Sequence, residues 1–531
     1  MKDIRSKRLE WNRRYALKTI GSSAIAGLSL FSSARAIAYP LFSRYPFQLG
    51  IASGEPTPDG FVIWTRLAPD PFEIGYGMPA APVEVTWQVS SDERMQEIVA
   101  SGEAIARPEL GHAVHVEVAG LEPNRPYWYR FASGRERSGV GRSRTTPAIG
   151  QPIERVRFAV AGCQNYEDGY YTAHRYLSDE DADFVFCYGD YIYEYRGRRI
   201  RNSREGPTEI VRSHVGQEIY SIEDYRRRYA QYKMDVDLQA AHASAPWFVV
   251  WDDHEIDNNW VTDRDQDETP LSAFRLRQQM AMQAYYEHMP LRASSMPLGN
   301  SMQIFRQARY GDLIDLNLLD TRQYRTNQPC DDGWGVVCDG IYDRGAQVLG
   351  PTQERWLREK LGRSESHWQV LAQQVMMMDL DRMPGPERTE NLDSWAGYRT
   401  PRTRMLETIR DLQLDSVIVL TGDEHQNYAG ELHIDGKRPE ARPLATEFVA
   451  TSISSRGDGE DQSPQTAAIQ AENECLKWFN SQRGYVMCDV TRDRWMTEFK
   501  TLDRVTQKGG QLRTRKRMAV EHGAPGSLAE I

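Results

Sequence analysis

Four short apolar runs restrict this chain more than any other feature, because each stops on side chains able to bind metal ions or move protons. Val156 to Ala161 leads into Gly162-Cys163-Gln164-Asn165, and Phe184 to Tyr188 into Gly189-Asp190-Tyr191-Ile192-Tyr193. Trp247 to Trp251 leads into Asp252-Asp253-His254-Glu255-Ile256-Asp257-Asn258-Asn259, and Val417 to Leu420 into Thr421-Gly422-Asp423-Glu424-His425. Runs of this length suit strands buried on both faces. Such strands ordinarily end in neutral turn residues. The stretch from Asp252 to Asn259 is too polar to stay buried without ions or hydrogen-bonding partners. Each end alone reads as a turn or a helix cap. Ligands of open α/β sheets lie beyond the carboxyl ends of the strands, so four such ends together predict one polar pocket.

The same type of run recurs at Leu313 to Leu319, Trp368 to Leu371 and Phe448 to Ala450, separated by longer segments, which makes residues 151–531 an α/β region. A charged helix is expected over 222–245, with the arginines at 226–228 on a solvated face. Residues 40–150 read differently. Phe61 to Trp64, Val83 to Val89, Val114 to Val118 and Tyr127 to Phe131 have the pattern of short antiparallel strands separated by turns. Leu121-Glu122-Pro123-Asn124-Arg125-Pro126-Tyr127 looks like the tyrosine corner of a fibronectin- or immunoglobulin-like sandwich.

At the amino terminus, Asn12-Arg13-Arg14-Tyr15-Ala16-Leu17-Lys18 precedes an apolar stretch from Thr19 to Phe31 and then Ala34, Ala36 and Ala38. Residues 1–38 therefore read as a twin-arginine signal, making the twin-arginine translocase a partner during export and the periplasm or the exterior the destination. The apolar part is shorter than the roughly 20 residues of a spanning helix, and no stable membrane span is expected. Those 38 residues carry eight Lys/Arg against two acids, so the chain's net charge of −10 becomes about −16 once they are removed. A surface this acidic argues against a nucleic-acid scaffold. In an oxidising compartment Cys330 and Cys338, eight residues apart around a Gly/Asp-rich loop, are a candidate disulfide, and Cys475 with Cys488 a second. Cys187 reads as a buried thiol.

Further motifs accompany the four strand ends: Leu49 to Pro56, Trp64-Thr65-Arg66-Leu67, Leu319-Asp320-Thr321-Arg322-Gln323-Tyr324-Arg325, Asp393-Ser394-Trp395 and Asn480 to Tyr485. Their order and spelling resemble the PhoD family of alkaline phosphatases and phosphodiesterases, a branch of the metallophosphoesterases. The resemblance implies an α/β (α+β sandwich) metallophosphoesterase domain over 151–531 behind the all-β sandwich of 40–150. It implies Fe3+ held by Cys163, Asp190, Tyr193 and His425, with Asp190 bridging to Ca2+ at Asp253 and Asp423. A carboxylate-rich oxygen set does suit a hard cation. For a second Ca2+, Asp252 and Asn259 are candidates, with hydrogen-bonding roles as the open alternative.

The implied activity is alkaline phosphatase: hydrolysis of phosphomonoesters and phosphodiesters, small or polymeric, by attack of metal-activated hydroxide or oxide. His254 is the candidate to bind the phosphate or protonate the leaving oxygen, or else to orient a neighbour. Arg322 and Arg456 are candidate phosphate clamps because a guanidinium fork matches phosphate oxygens, and each could equally be a structural ion pair. Two other functions remain open at this level. One is a specialised phosphodiesterase, phospholipase D-like or acting on cell-wall polymer, and the other a non-catalytic binding protein stabilised by metal.

Overall fold

The computed structural model describes residues 42–531 apart from 199, 204–205, 384, 436–441 and 463. The export signal expected over 1–38 lies outside the described residues. Two large mixed sheets organise the rest. In a ten-stranded sheet, Arg155–Ala161, Phe184–Cys187 and Pro246–Val249 lie side by side in parallel, with Gly484–Thr491 and Arg494–Leu502 continuing antiparallel beside the first of them. In a seven-stranded sheet, Ile314–Leu318, Trp368–Ala372, Val417–Thr421 and Ala445–Val449 form the parallel centre.

Period-two alternation along the central strands divides their side chains between two cores. Ile418 and Leu420 share a core with Phe158, Phe184, Phe248, Val370 and Phe448, so one face of the smaller sheet packs with the larger one. Val417 and Val419 point the other way, into a core with Leu357, Leu361, Met405 and Ile409 from helices Gly350–Gly362 and Arg399–Asp411. Phe158 and Phe184 stack at 4.4 Å between ring centres. Burial on both faces explains why these strands read as unbroken apolar runs. It also leaves their carboxyl ends as the places where polar chemistry can emerge.

The amino-terminal strands split between sheets. Ile51–Thr57, Gly60–Arg66 and Ala113–Ala119 extend the ten-stranded sheet, because Ile51–Thr57 pairs in parallel with Pro246–Val249. Val83–Ser90, Ile98–Ala106, Pro126–Ser133, Glu136–Arg137 and Gly141–Arg144 make a separate five-stranded sheet. Phe61 and Ile63 from the first set meet Val85, Val89, Tyr129 and Phe131 from the second in one core. The Tyr127 hydroxyl accepts from the Glu122 backbone N–H at 3.0 Å, a tie between a strand and the turn that precedes it.

Three expectations need correction. The single helix over 222–245 is two, Ile222–Lys233 and Val236–Ser244, because the Asp235 carboxylate caps the second by accepting from the N–H groups of Asp237 and Leu238. Two of the three arginines at 226–228, on Ile222–Lys233, are not solvated: Arg226 is buried against Glu287 at 2.6 Å and Arg228 donates to the carbonyl of Tyr193, while Arg227 is partly exposed. Cys330 and Cys338 are joined, but Cys475 and Cys488 are separate buried thiols. Cys488 packs in the core of the ten-stranded sheet and Cys475 in the core on the far side of the seven-stranded one.

Candidate metal centre and active site

All four strand ends come together. Gly189 and Gly422 allow this closeness: a Cβ on Gly189 would lie 2.3 Å from the backbone nitrogen of Asp252, and one on Gly422 would lie 2.0 Å from the Tyr188 ring. Just beyond the strands the backbone of Cys163, Asp190, Asp423 and His425 enters the left-handed region, with φ of 50°, 53°, 65° and 56°. None of these is glycine, and each such residue costs about 1 kcal/mol or more. Backbone in this region at all four strand-end positions turns the metal-competent side chains toward one another.

Asp190 is the centre of the first cluster. Its Oδ2 accepts from the Tyr193 hydroxyl at 2.7 Å and from the Cys163 thiol at 3.3 Å, and lies 3.7 Å from His425 Nε2. Tyr193 also stands 3.1 Å from His425 Nε2 and 2.8 Å from Ser455 Oγ. Ligand atoms of Cys163, Asp190 and His425 all lie within 4.8 Å of one another, as do those of Asp190, Asp253 and His254 and those of Asp252, Asp253 and Asp423. Asp190 belongs to two of these groups and Asp253 to two, so the three form one chain of donors.

The electrostatics favour a cation here. Burial, with Asp190, Asp252 and Asp423 adding to it, pushes the Cys163 thiol well above its ordinary range, and burial does the same to the Tyr193 phenol and the Asp190 carboxyl. Asp423 is raised to about 7 by burial against the pull of Arg322. Burial also opposes ionisation of Asp253, but Arg322 and His254 outweigh it and hold that carboxyl below the usual range. Asp190 Oδ1 and Asp252 Oδ2 are buried acceptors without a hydrogen-bond partner. Acidic groups held protonated by burial, with orphaned oxygens among them, are what a bound cation would ionise and satisfy. The donor set therefore fits metal ions.

Arg322 occupies a different position from that of an open clamp. Its fully buried guanidinium donates to Asp252, to Asp393 at 2.5 Å and to Asp423 at 3.1 Å, and lies 3.6 Å from Asp253. Its single positive charge is shared among four carboxylates, and its hydrogen bonds tie Asp252, Asp393 and Asp423 together. Arg456 is exposed, on the loop whose Ser455 hydroxyl donates to the Cys163 carbonyl at 2.7 Å. The Asn259 N–H supports Asp253 Oδ2 at 2.8 Å and its amide nitrogen donates to the Asp332 carbonyl at 2.5 Å.

With this geometry in view, comparison with known proteins is direct. Residues 158–499 match the family described as PhoD-like phosphatase, and residues 33–147 match its N-terminal domain. The chain belongs to the PhoD-like phosphatase family. With it, the chain belongs to the phosphoric ester hydrolases. Alkaline phosphatase D of Bacillus subtilis (strain 168) is 45% identical over 502 residues, covering 93% of this chain and 85% of that one. A solved structure of PhoD superposes with a TM-score of 0.90 at 44% identity, covering 93% of each chain. The likeness extends through both sheets and fits a mixed α/β fold.

Three residues of this PhoD-like site are missed by reading the sequence for ligands. Glu194 accepts from His254 Nδ1 at 2.7 Å and from the Asn258 N–H at 3.2 Å. Glu255 accepts from the N–H groups of Tyr191 at 2.7 Å, Asp252 at 2.9 Å and Asp190 at 3.1 Å, clamping two strand ends together. Asp393 joins Arg322 to Arg325. Glu255 carried a signal, since a carboxylate three residues after Asp252 can cap that backbone. Glu194 carried none: its partner is 60 residues away.

Proposed function

We propose that this protein is a metal-dependent alkaline phosphatase of phosphomonoesters and phosphodiesters, its site formed by Cys163, Asp190, Tyr193, Asp253, Asp423 and His425. The observation that carries the reading is Asp190, whose carboxylate belongs both to the cluster with thiol, phenol and imidazole and to the cluster with Asp253. Fe3+ at Cys163, Asp190, Tyr193 and His425 and Ca2+ at Asp253 and Asp423 agree with the donor chemistry, since thiolate and phenolate favour a strongly Lewis-acidic ion and carboxylates a hard one. Asp252, with an orphaned oxygen, is the better candidate for a second Ca2+, and Asn259 is a support for Asp253.

Bound there, the cations supply Lewis acidity to the phosphoryl oxygens and a nucleophile from water. The protein's own groups do the rest. Arg322 holds the carboxylates apart at fixed spacing. His254, a ring nitrogen of which lies within 4.8 Å of oxygens of Asp190 and Asp253, is oriented through Nδ1 by Glu194, leaving Nε2 to carry a proton to the leaving oxygen. Arg456, exposed at the rim, is the guanidinium free to meet a phosphate.

The same reading takes residues 151–531 as a metallophosphoesterase domain and 40–150 as a fibronectin-like sandwich joined to it through the Ile51–Thr57 strand. It takes 1–38 as a twin-arginine export signal. No helix among the described residues is long and apolar enough to cross a membrane. The test is release of nitrophenol from 4-nitrophenyl phosphate and bis(4-nitrophenyl) phosphate by metal-replete protein and by protein treated with chelator. Turnover of both that is lost on chelation is expected. Metal-replete protein inert on both compounds would overturn the proposal.

A further inference from the structure

The motif from Asn480 to Tyr485 packs against the loop that follows Ala445–Val449. A Cβ on Gly459 would lie 1.8 Å from the Ser481 carbonyl oxygen, and the Gly484 N–H donates to the Ser452 carbonyl at 3.0 Å. Arg483, within this motif, is 4% exposed. Its Nε donates to the Gly457 carbonyl at 2.7 Å, and its Nη1 donates to the His425 carbonyl and to Thr451 Oγ1 at 3.4 Å. These acceptors are neutral. Burial, with Arg456 beside it, lowers the pKa of the Arg483 guanidinium to about 10. A cation buried on neutral acceptors is costly to keep, so stability alone is a poor account of this residue.

What the guanidinium joins is specific. The His425 carbonyl belongs to a residue of the first metal-competent cluster, and the Gly457 carbonyl follows Arg456. The loop around Arg456 is tied at three successive residues. Ser455 Oγ donates to the Cys163 carbonyl at 2.7 Å and lies 2.8 Å from the Tyr193 hydroxyl. The Arg456 N–H donates to Asp168 Oδ2 at 2.7 Å, and the Gly457 carbonyl accepts from Arg483. The exposed Arg456 side chain therefore starts from a fixed backbone, one residue from the contact with Tyr193. A planar guanidinium presents its N–H groups in a rigid fork, so it can hold two carbonyls at one spacing, which the point charge of an ammonium cannot.

We infer that Arg483 is a positioning residue, whose fork locks the turn carrying His425 to the loop carrying Arg456, so that a phosphate at the metal cluster meets the Arg456 guanidinium at one spacing. The inference rests on the phosphatase reading, in which Arg456 binds phosphate. Arg483 acts through Arg456. Its loss therefore weakens phosphate binding only while Arg456 is present to be positioned. The role belongs to the geometry of the fork and not to the charge, so a lysine at 483 does not fill it.

The test is a double-mutant cycle read by calorimetric binding of inorganic phosphate and by kcat/KM for 4-nitrophenyl phosphate. It uses wild type, Arg483→Gln, Arg483→Lys, Arg456→Gln and the Arg456→Gln/Arg483→Gln double variant, all metal-loaded and matched in metal content by elemental analysis. Arg483→Gln and Arg456→Gln are each expected to weaken phosphate binding by about tenfold, and the double variant to match Arg456→Gln within about twofold. A merely structural loss would multiply with that of Arg456→Gln instead. Arg483→Lys is expected to bind phosphate as weakly as Arg483→Gln. Asp168→Ala releases the Arg456 N–H, loosens the same loop from its other side and carries the cycle with Arg456→Gln should Arg483→Gln not fold, with the same non-additivity expected. Losses that multiply, unchanged phosphate affinity in Arg483→Gln or Arg456→Gln, or wild-type affinity in Arg483→Lys overturn the inference. If the coupling holds while wild type turns over neither nitrophenyl compound, the positioning role stands and the phosphatase reading falls.

Discussion

His254 Nδ1 lies 2.7 Å from a carboxylate oxygen of Glu194, and the His254 ring stacks on Tyr193 with 4.0 Å between centres. The imidazole is thus locked by a buried acid on one side and by a member of the metal-competent cluster on the other. Its remaining nitrogen is the one free to act. A proton donor matters most when the leaving oxygen is strongly basic. His254→Gln is expected to lower kcat by about 10²–10⁴-fold for an alkyl phosphate and far less for 4-nitrophenyl phosphate. Glu194→Gln should show the same selectivity at about 10–100-fold. Equal losses on both substrates would remove His254 from the proton-transfer role.

Cys163 supplies the one thiol in the donor set. Cys163→Ala should yield protein lacking one ion per chain by elemental analysis, with activity down at least about 100-fold. A fully loaded and active variant would take the sulfur out of the first cluster.

Among the described residues Arg322 is the cation that Asp252, Asp253, Asp393 and Asp423 all share. Removing one partner from a buried ion pair costs about 3–5 kcal/mol, because the remaining charges stay buried and unopposed. Arg322→Ala is therefore expected to lose about that much stability in denaturant titrations with chelator present. Adding metal should recover part of the loss, since the ions neutralise the same carboxylates. A variant as stable as wild type in chelator would contradict this account.

Lys233 is buried with its ammonium over the rings of Trp64, at 4.3 Å, and Tyr191, at 5.1 Å. Burial lowers its pKa to about 7, from 10.5 in the unfolded chain. Between those values the unfolded state binds the extra proton, so this group makes stability rise with pH from about 7 to 10.5. The slope is about 1.4 kcal/mol per unit at most. Lys233→Met should flatten the rise measured by denaturation at pH 7, 8.5 and 10. An unchanged slope would place the titration elsewhere.

The strand ends were legible in the sequence because burial on both faces forces an apolar run, and a run that stops on Cys, Asp or His has few purely structural explanations. Cys163, Asp190, Tyr193, Asp253, Asp423 and His425 could be named on that ground together with the family resemblance. The Cys330–Cys338 bridge was legible as well, because its partners are eight residues apart. The split of residues 222–245 into two helices was locally encoded, in the Asp235 cap, but hidden by charges on both sides of it.

What only tertiary structure decided is which polar groups face one another across long separations. Arg226 and Arg228 looked solvated until folding placed Glu287 and the Tyr193 carbonyl beside them. Cys475 and Cys488 looked pairable until the two sheets drew them into different cores. Arg322 could have met a phosphate, and instead four carboxylates from distant motifs surround it. Glu194 gains its role only when the chain brings His254 to it. Local sequence sets the periodicity and the ends of elements, because those depend on neighbouring residues. Charge pairing in a buried site depends on which ends converge, and packing of the two sheets settles that.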